Sequence, residues 1–286
     1  MELLFTQFLF KELIDKLDFR VSTNYIGGAV RNRFTYLLMI LFCVCVQAQD
    51  YPAPTNLITI PTAGVLVRGT YTADARIQNG GGLIFGLSVG ITNRFMFGLS
   101  YGAGNLIGDD SLKWYPRPEV NLKYRLIDED MSKPGIAIGL ETQGLGEFLD
   151  ADTLNRYSTK ALGAYLSMSK NWKSPLGNAG LHAGINYNFT EQLDGDKDMS
   201  AFAGFDVEIN PELSFIMEYN AALNENAMTI RNIALSRGGY LNTAIRWTFV
   251  DHLHIELEFN NLLFNKKNES LQTFTRELKI TYIEYF

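Results

Sequence analysis

From residue 70 to the C-terminus, apolar side chains recur at every second position in one segment after another. Side chains on a β-strand point alternately to opposite faces, so this period is a strand signal. Leu181, Ala183, Ile185, Tyr187 and Phe189 share one face, and His182, Gly184, Asn186 and Asn188 share the other. Leu253, Ile255, Leu257 and Phe259 oppose His254, Glu256, Glu258 and Asn260. Leu213, Phe215, Met217 and Tyr219 oppose Ser214, Glu218 and Asn220, with Ile216 as the exception. The pattern predicts about twelve strands, over 70–77, 83–91, 95–103, 117–126, 135–144, 159–170, 179–189, 199–209, 213–223, 239–249, 253–262 and 273–286. No stretch beyond residue 48 carries a long 3.6-residue apolar stripe.

The connectors are sorted by length. After a tight first turn at 79–82, short 92–94 is followed by long 104–116, and medium 127–134 by long 145–158. Segments 171–178 and 190–198 are comparable, short 210–212 precedes long 224–238, and short 250–252 precedes long 263–272. An outer-membrane barrel has short periplasmic turns and long external loops, whereas a soluble sandwich has no reason for such sorting. In hydrocarbon every backbone amide must bond within the protein, which a closed barrel achieves with no free edge. A tilted strand needs about 9–11 residues to cross, as these segments supply. The expected fold is therefore all-β: an antiparallel up-and-down transmembrane barrel of about twelve strands over residues 70–286, with both termini in the periplasm. The alternative is a secreted lipocalin-like barrel or sandwich, in which the apolar face turns inward. Phe95, Tyr115, Trp172, Tyr240, Trp247, Phe249, Tyr282 and Phe286 lie near strand ends, where headgroup belts form.

The N-terminus reads as an export signal. Arg31-Asn32-Arg33 is a positive start, Phe34 to Val46 an apolar run, and Val46-Gln47-Ala48 a small-residue cleavage site after Ala48. The run is short for a membrane span, the alternative being an anchor helix. Residues 1–30 do not fit ahead of such a signal, and translation starting at Val30 accounts for them. The segment 49–69, rich in proline (Pro52, Pro54, Pro61), is expected as a periplasmic N-terminal segment or, folded upward, as a partial plug of the lumen. Both cysteines, Cys43 and Cys45, fall in the apolar run, so the mature chain is expected to have no disulfide, no cysteine-bound zinc and no cysteine nucleophile. A formal net charge of −6 and a pI near 5.2 argue against nucleic acid as a partner.

The ionised residues follow strand parity. Asp74, Arg76, Glu119, Lys123, Arg125, Glu141, Asp206, Glu208, Glu218, Arg246, Glu256, Glu258 and Lys279 all fall on the face opposite the apolar residues. A charge on the lipid side costs roughly 2–4 kcal/mol at mid-depth, so these groups are expected to face the lumen. They describe either a polar conduit or an interior plugged by mutually satisfying ion pairs, since twelve strands lie between a filled barrel and an open pore. Acidic groups outnumber basic ones in this set, so an open lumen is expected to prefer cations or neutral sugars.

Other chemistry is weakly signalled. Gly102 to Gly108 lacks the spacing and the helix of a dinucleotide loop. Asp194-Gly195-Asp196-Lys197-Asp198 starts like a calcium loop, but Met199 and Phe205 stand where glycine and glutamate are required. It reads as a solvated external turn, or a loose surface site for calcium or magnesium bridging lipopolysaccharide. His252 and His254 share a strand face without an evident third metal ligand. A lipid hydrolase needs a histidine beside a serine, and no pairing of a histidine with Ser100, Ser167, Ser214 or Ser236 is visible. No cofactor, metal or catalytic residue is expected. The expected role is a channel or export support for a polar solute. The alternatives are a non-conducting structural or surface-binding barrel using its long loops and, behind it, a lipid-modifying enzyme.

Two segments carry family resemblance. Leu278, Ile280, Tyr282 and the terminal Phe286 resemble the closing strand of bacterial outer-membrane barrels, although Glu284 occupies a usually apolar position. That resemblance implies recognition by the barrel assembly machinery, and residence among outer-membrane lipids and lipopolysaccharide. Leu57-Ile58-Thr59-Ile60-Pro61-Thr62-Ala63-Gly64, followed by Gly69 and the first strand, resembles the opening of YjbH-like outer-membrane proteins. This implies a link to exopolysaccharide biosynthesis and export, with polysaccharide as a partner. Family members are often much longer, so the chain corresponds at most to their barrel portion.

Overall fold

The computed structural model describes residues 54–108, 111–150, 154–173, 177–226, 238–250, 252–265 and 274–286. The expected export signal, its cleavage after Ala48 and the start at Val30 lie outside them. Fifteen strands follow one another in the described residues: β1 (Thr70–Ile77), β2 (Leu83–Gly90), β3 (Phe95–Gly104), β4 (Lys113–Trp114), β5 (Glu119–Ile127), β6 (Gly135–Glu141), β7 (Leu145–Leu149), β8 (Arg156–Thr159), β9 (Gly163–Lys173), β10 (Asn178–Tyr187), β11 (Ser200–Asn210), β12 (Leu213–Asn220), β13 (Tyr240–Val250), β14 (Leu253–Asn260) and β15 (Thr275–Tyr285). Twelve of them form the wall. Each is antiparallel to its neighbours, and β1 closes the ring on β15 with Thr70 opposite Tyr285 and Ile77 opposite Leu278. The terminal Phe286 amide adds one more bond to the Gly69 carbonyl, 2.8 Å. Short β4 extends the β3 edge, and β7 pairs only with β8, within the long 142–162 connection. These three short strands lie in segments expected as loops.

The polarity is inverted relative to a soluble domain. Leu181, Ile185, Phe85, Leu87, Leu257 and Ile245 stand exposed on the outer wall, Leu181 by 52%. Their strand neighbours His182, Asn186, Glu256, Glu258 and Arg246 are buried inside. An exposed apolar surface this continuous is untenable in water and is what a barrel presents to hydrocarbon. Aromatic pairs mark both rims. Trp247 packs edge-on to Phe249, and Tyr71 against Tyr282 and Phe286, at the end where β1 begins and β15 ends; Tyr101 stacks on Trp114 at the other. Register shifts between Arg125 and Ile127, Glu208 and Asn210, and Thr248 and Val250 all fall at the end with the short turns.

Two expected belt aromatics are elsewhere. Tyr115 and Tyr240 are buried at the long-loop end, because each hydroxyl has a polar partner inside: Gln78 and Gly146 for Tyr115, Glu225 for Tyr240.

Candidate functional site

The described part of the N-terminal segment lies inside the barrel, so the periplasmic placement of residues 49–69 is corrected for residues 54–66. The cause is visible in its composition. Leu57, Ile58 and Ile60 are apolar enough to bury, and they pack on Tyr165, Phe202, Ile216 and Ala244 of the inner wall. The segment turns sharply on itself, with the Leu57 amide bonded to the Ile60 carbonyl at 2.9 Å and the Thr62 amide to the Thr55 carbonyl at 3.1 Å. That turn leaves other backbone groups unpaired, and a buried unpaired amide is costly. The wall supplies the partners. Glu218 accepts from three consecutive amides, Ile58 (2.9 Å), Thr59 (2.9 Å) and Ile60 (3.1 Å), and is itself steadied by Asn242 at 2.8 Å. Arg76 donates to the Ile58 carbonyl (2.8 Å) and Arg246 to that of Leu57 (3.2 Å). Ser169 accepts from the Ala63 amide, and Ser167 donates to the Thr62 carbonyl. The wall is thinned to admit the plug: a Cβ at Gly204 would lie 2.6 Å from Leu57 Cδ1, and one at Gly90 2.0 Å from the Val67 carbonyl oxygen.

The long-loop mouth is tied by a second network. Arg156 bridges Asp194 and Glu225, both at 2.8 Å, while Lys160 reaches Asp194 at 2.6 Å and the Asn224 carbonyl at 2.9 Å. Asp194 and Asp196 are buried, while Gly195, Lys197 and Asp198 stay exposed, so the solvated turn expected for 194–198 is corrected for its two buried acids only. Burial opposes the charge on Arg156, yet Glu225 and Asp194 hold its guanidinium above the ordinary range. Tyr157, fully buried, stacks edge-on against Tyr115 and Phe148, and its hydroxyl donates to Glu119 at 3.2 Å. Burial, then the Glu119 carboxylate, pushes that phenol upward. Burial likewise raises the Glu191 carboxyl, against the amides of Tyr157 and Ala161 that donate to it.

Beside the plug remains a cavity of about 540 Å³. Its wall runs from Thr159 and Lys160 at the long-loop end to Pro211, His252 and Tyr285 at the end where β1 begins and β15 ends. Asp74, Arg76, Glu141, Arg246, Glu256 and Lys279 face into it.

The thirteen ionised residues expected in the lumen divide into groups. Glu218, Arg76, Arg246 and Lys123 hold the plug, Lys123 through the Thr55 carbonyl. Glu256 pairs with Arg246 at 3.0 Å and Glu258 with Arg76 at 2.8 Å. Glu119 serves the mouth, bonded also by Arg117 at 3.1 Å. Arg125 meets Asp128 (3.7 Å) and Glu208 meets Asn178 at the short-turn rim. Asp206 accepts from His182 at 2.7 Å. Asp74, Glu141 and Lys279 line the cavity and make no side-chain hydrogen bond or ion pair among the described residues, Lys279 standing across from Glu256. The closing-strand residues Ile280, Tyr282 and Phe286 face outward.

Parity missed Glu277, buried beside Arg76 at 4.0 Å, although it stands on the same face as Lys279. It missed a serine–histidine pairing as well. Ser169 lies 2.7 Å from His182 Nδ1, whose Nε2 faces Asp206. The signal available was their shared inward parity on sequential strands, where they pair directly. This trio resembles a nucleophile set in chemistry alone. All three lie outside the cavity, and Ser169 and His182 are buried, with the serine hydroxyl occupied by the plug amide of Ala63. His252 and His254 face the cavity and bond the Ile283 carbonyl (2.9 Å) and Thr248 (3.0 Å).

The sequence matches no protein-family profile and no curated protein. Among solved structures, the NanC porin is similar at 12% identity and a TM-score of 0.40, over 76% of this chain and 99% of that one. The KdgM porin is similar at 13% identity and a TM-score of 0.43, over 74% and 98%. Salmonella typhi OmpF, solved in complex with daunomycin, is similar at 9% identity and a TM-score of 0.28, over 75% and 96%. The fold assignment rests on the ring of strand pairs and the inverted polarity described above.

Proposed function

We propose that this chain is an outer-membrane channel for small polar solutes, inserted by the barrel assembly machinery among outer-membrane lipids and lipopolysaccharide. One observation carries the reading: a single polar cavity is lined by residues from both ends of the barrel, Lys160 at one and His252 at the other. The plug narrows the lumen on the β9–β13 side and leaves this path along β1, β2 and β15. Charges of both signs line it, so the expected preference is for polar solutes of low net charge. A catalytic role is no part of the proposal.

Exopolysaccharide export, which the YjbH-like segment 57–64 implies, makes a stricter demand. That segment is itself the plug, so a polysaccharide chain would need residues 54–66 to leave the lumen first. Planar-bilayer recording of the full chain tests the channel. Discrete current steps are expected, with a conductance well below that of an unplugged twelve-strand barrel. A pure, heat-modifiable sample giving no steps overturns it and leaves the non-conducting surface-binding barrel.

A further inference from the structure

The cavity is lined by three charged side chains that make no hydrogen bond or ion pair of their own among the described residues. Asp74 on β1 and Glu141 on β6 make no hydrogen bond or ion pair among the described residues, and neither does Lys279 on β15. The charges around them already have partners: Arg76 meets Glu258 and the plug, Arg246 meets Glu256 and the plug, Lys123 donates to the plug, and Glu256 on β14 stands across from Lys279. Asp74 pairs across the strands with Thr281, and Lys279 with Arg76, so Asp74 and Lys279 are diagonal neighbours on β1 and β15. Diagonal neighbours lie about 7–8 Å apart. Glu141 pairs with Asn121 on the facing part of the wall. Around them the oxygens Glu141 Oε2, Asn121 Oδ1 and Thr281 Oγ1 are sealed from solvent and without a partner. Gly86 leaves room for the Asp74 carboxylate, which a Cβ there would meet at 2.6 Å.

Buried charges are paired or bind a charged ligand, and buried polar atoms find partners. Two carboxylates repel an anion. A lone metal cation finds no group of three or more histidine, cysteine or acidic ligands among the described residues, and meets Lys279. A neutral polyol satisfies the hydroxyl and amide groups and leaves all three charges uncompensated. A small zwitterion answers both signs at once.

We propose that this cavity is a binding station for a zwitterion of amino-acid to dipeptide size, its ammonium held by Asp74 and Glu141 and its carboxylate by Lys279. The volume of about 540 Å³ is within the range of small-molecule sites. The proposal names the solute of the channel proposed above and depends on that reading only for access, since binding needs one open end and conduction needs two.

The test is equilibrium binding to the detergent-solubilised full chain by calorimetry, with L-alanyl-L-alanine, xylitol, ethylamine and acetate as probes, beside current recording on the same preparation. The dipeptide is expected to bind at least tenfold tighter than the other three. The near-isosteric variants Asp74→Asn, Glu141→Gln and Lys279→Met, each first shown to be heat-modifiable, are each expected to weaken it at least tenfold. Equal binding of xylitol and dipeptide overturns the proposal. So does binding indifferent to all three variants, and so does no binding at all, which would mean that water alone meets these groups. Dipeptide binding without current steps keeps the site and overturns the channel; current steps without dipeptide binding do the reverse.

Discussion

Glu218→Gln is the sharpest perturbation of the plug. The carboxylate is fully buried and accepts from three successive plug amides as well as from Thr59 Oγ1 and Asn242. Glutamine fills nearly the same volume but keeps one acceptor oxygen and turns an amide donor toward donors. About two hydrogen bonds to a charged acceptor are lost, at roughly 1.5–3 kcal/mol each. The neutral side chain is easier to bury, which offsets about 1–2 kcal/mol. The docked plug is then weakened by about 1–5 kcal/mol, a shift of roughly 5- to 4,000-fold between docked and released forms. The assay couples two readings on the same vesicles: single-channel conductance, and labelling of a Thr59→Cys probe by a membrane-impermeant maleimide. The variant is expected to show larger steps and faster labelling, with heat-modifiable migration unchanged because the twelve-strand ring closes through backbone pairs that the substitution leaves in place. If conductance and labelling both match the parent, the plug is not held by this carboxylate and the reasoning fails.

Three further expectations follow from the rest of the molecule. Arg156→Met leaves Asp194 and Glu225 buried with a lost counter-charge, at a cost of about 3–5 kcal/mol; limited proteolysis should then cut the 142–162 and 188–199 loops while sparing the barrel, and intact loops would count against the network. The Asp130 carboxyl lies below the ordinary range because the Ser132 and Lys133 amides, then the Ser132 hydroxyl, donate to it. Such a depressed group contributes above the unfolded carboxylate pKa, about 4, and the contribution is lost as pH falls through the lower folded value; protection factors at those two amides should drop only below that pH, and values unchanged at pH 2 would refute the assignment. Spin labels at Leu181, Ile185, Leu257 and Ile280 should collide preferentially with oxygen, and one at Lys279 with a water-soluble nickel chelate; the opposite result would overturn the membrane reading.

Period and connector length made the wall readable. Eleven of the twelve wall strands begin within two residues of their expected starts, β1 running over 70–77 as expected, since lipid on one side and polar interior on the other force the alternation along the whole strand. The short strands β4, β7 and β8 were not readable, because their pairing depends on loops folding back into the mouth rather than on a local period. Arg156 and Asp194 carry no local sign that they will meet, being brought together only by the closure of the barrel. The plug lay between the two outcomes. Pro54 and Pro61 mark a segment unable to join a central strand, but whether it hangs free or enters depends on what the lumen offers it.

That offer is written in the exceptions to the alternation. Ile216 breaks the polar face of β12, and Phe202, Tyr165 and Ala244 place apolar groups on the inner faces of β11, β9 and β13. Inside a water-filled conduit such residues are unfavourable; beneath Leu57, Ile58 and Ile60 they form a core. Irregular backbone is tolerated at membrane depth only when the surrounding protein or a water-filled cavity satisfies its polar groups, and Glu218, Arg76, Arg246, Ser167 and Ser169 do this from strands spread around the ring. One set of inward charges is therefore consumed in holding a segment of the chain's own backbone. Among the charged residues lining the remaining cavity, Asp74, Glu141 and Lys279 are those that make no hydrogen bond or ion pair among the described residues. A charge count over the entire inner face weighs residues that hold the plug equally with those that line the cavity. On the proposed channel reading, the charges that meet a solute are therefore those of the cavity lining, of which Asp74, Glu141 and Lys279 are the ones not engaged by the plug or by an ion pair among the described residues.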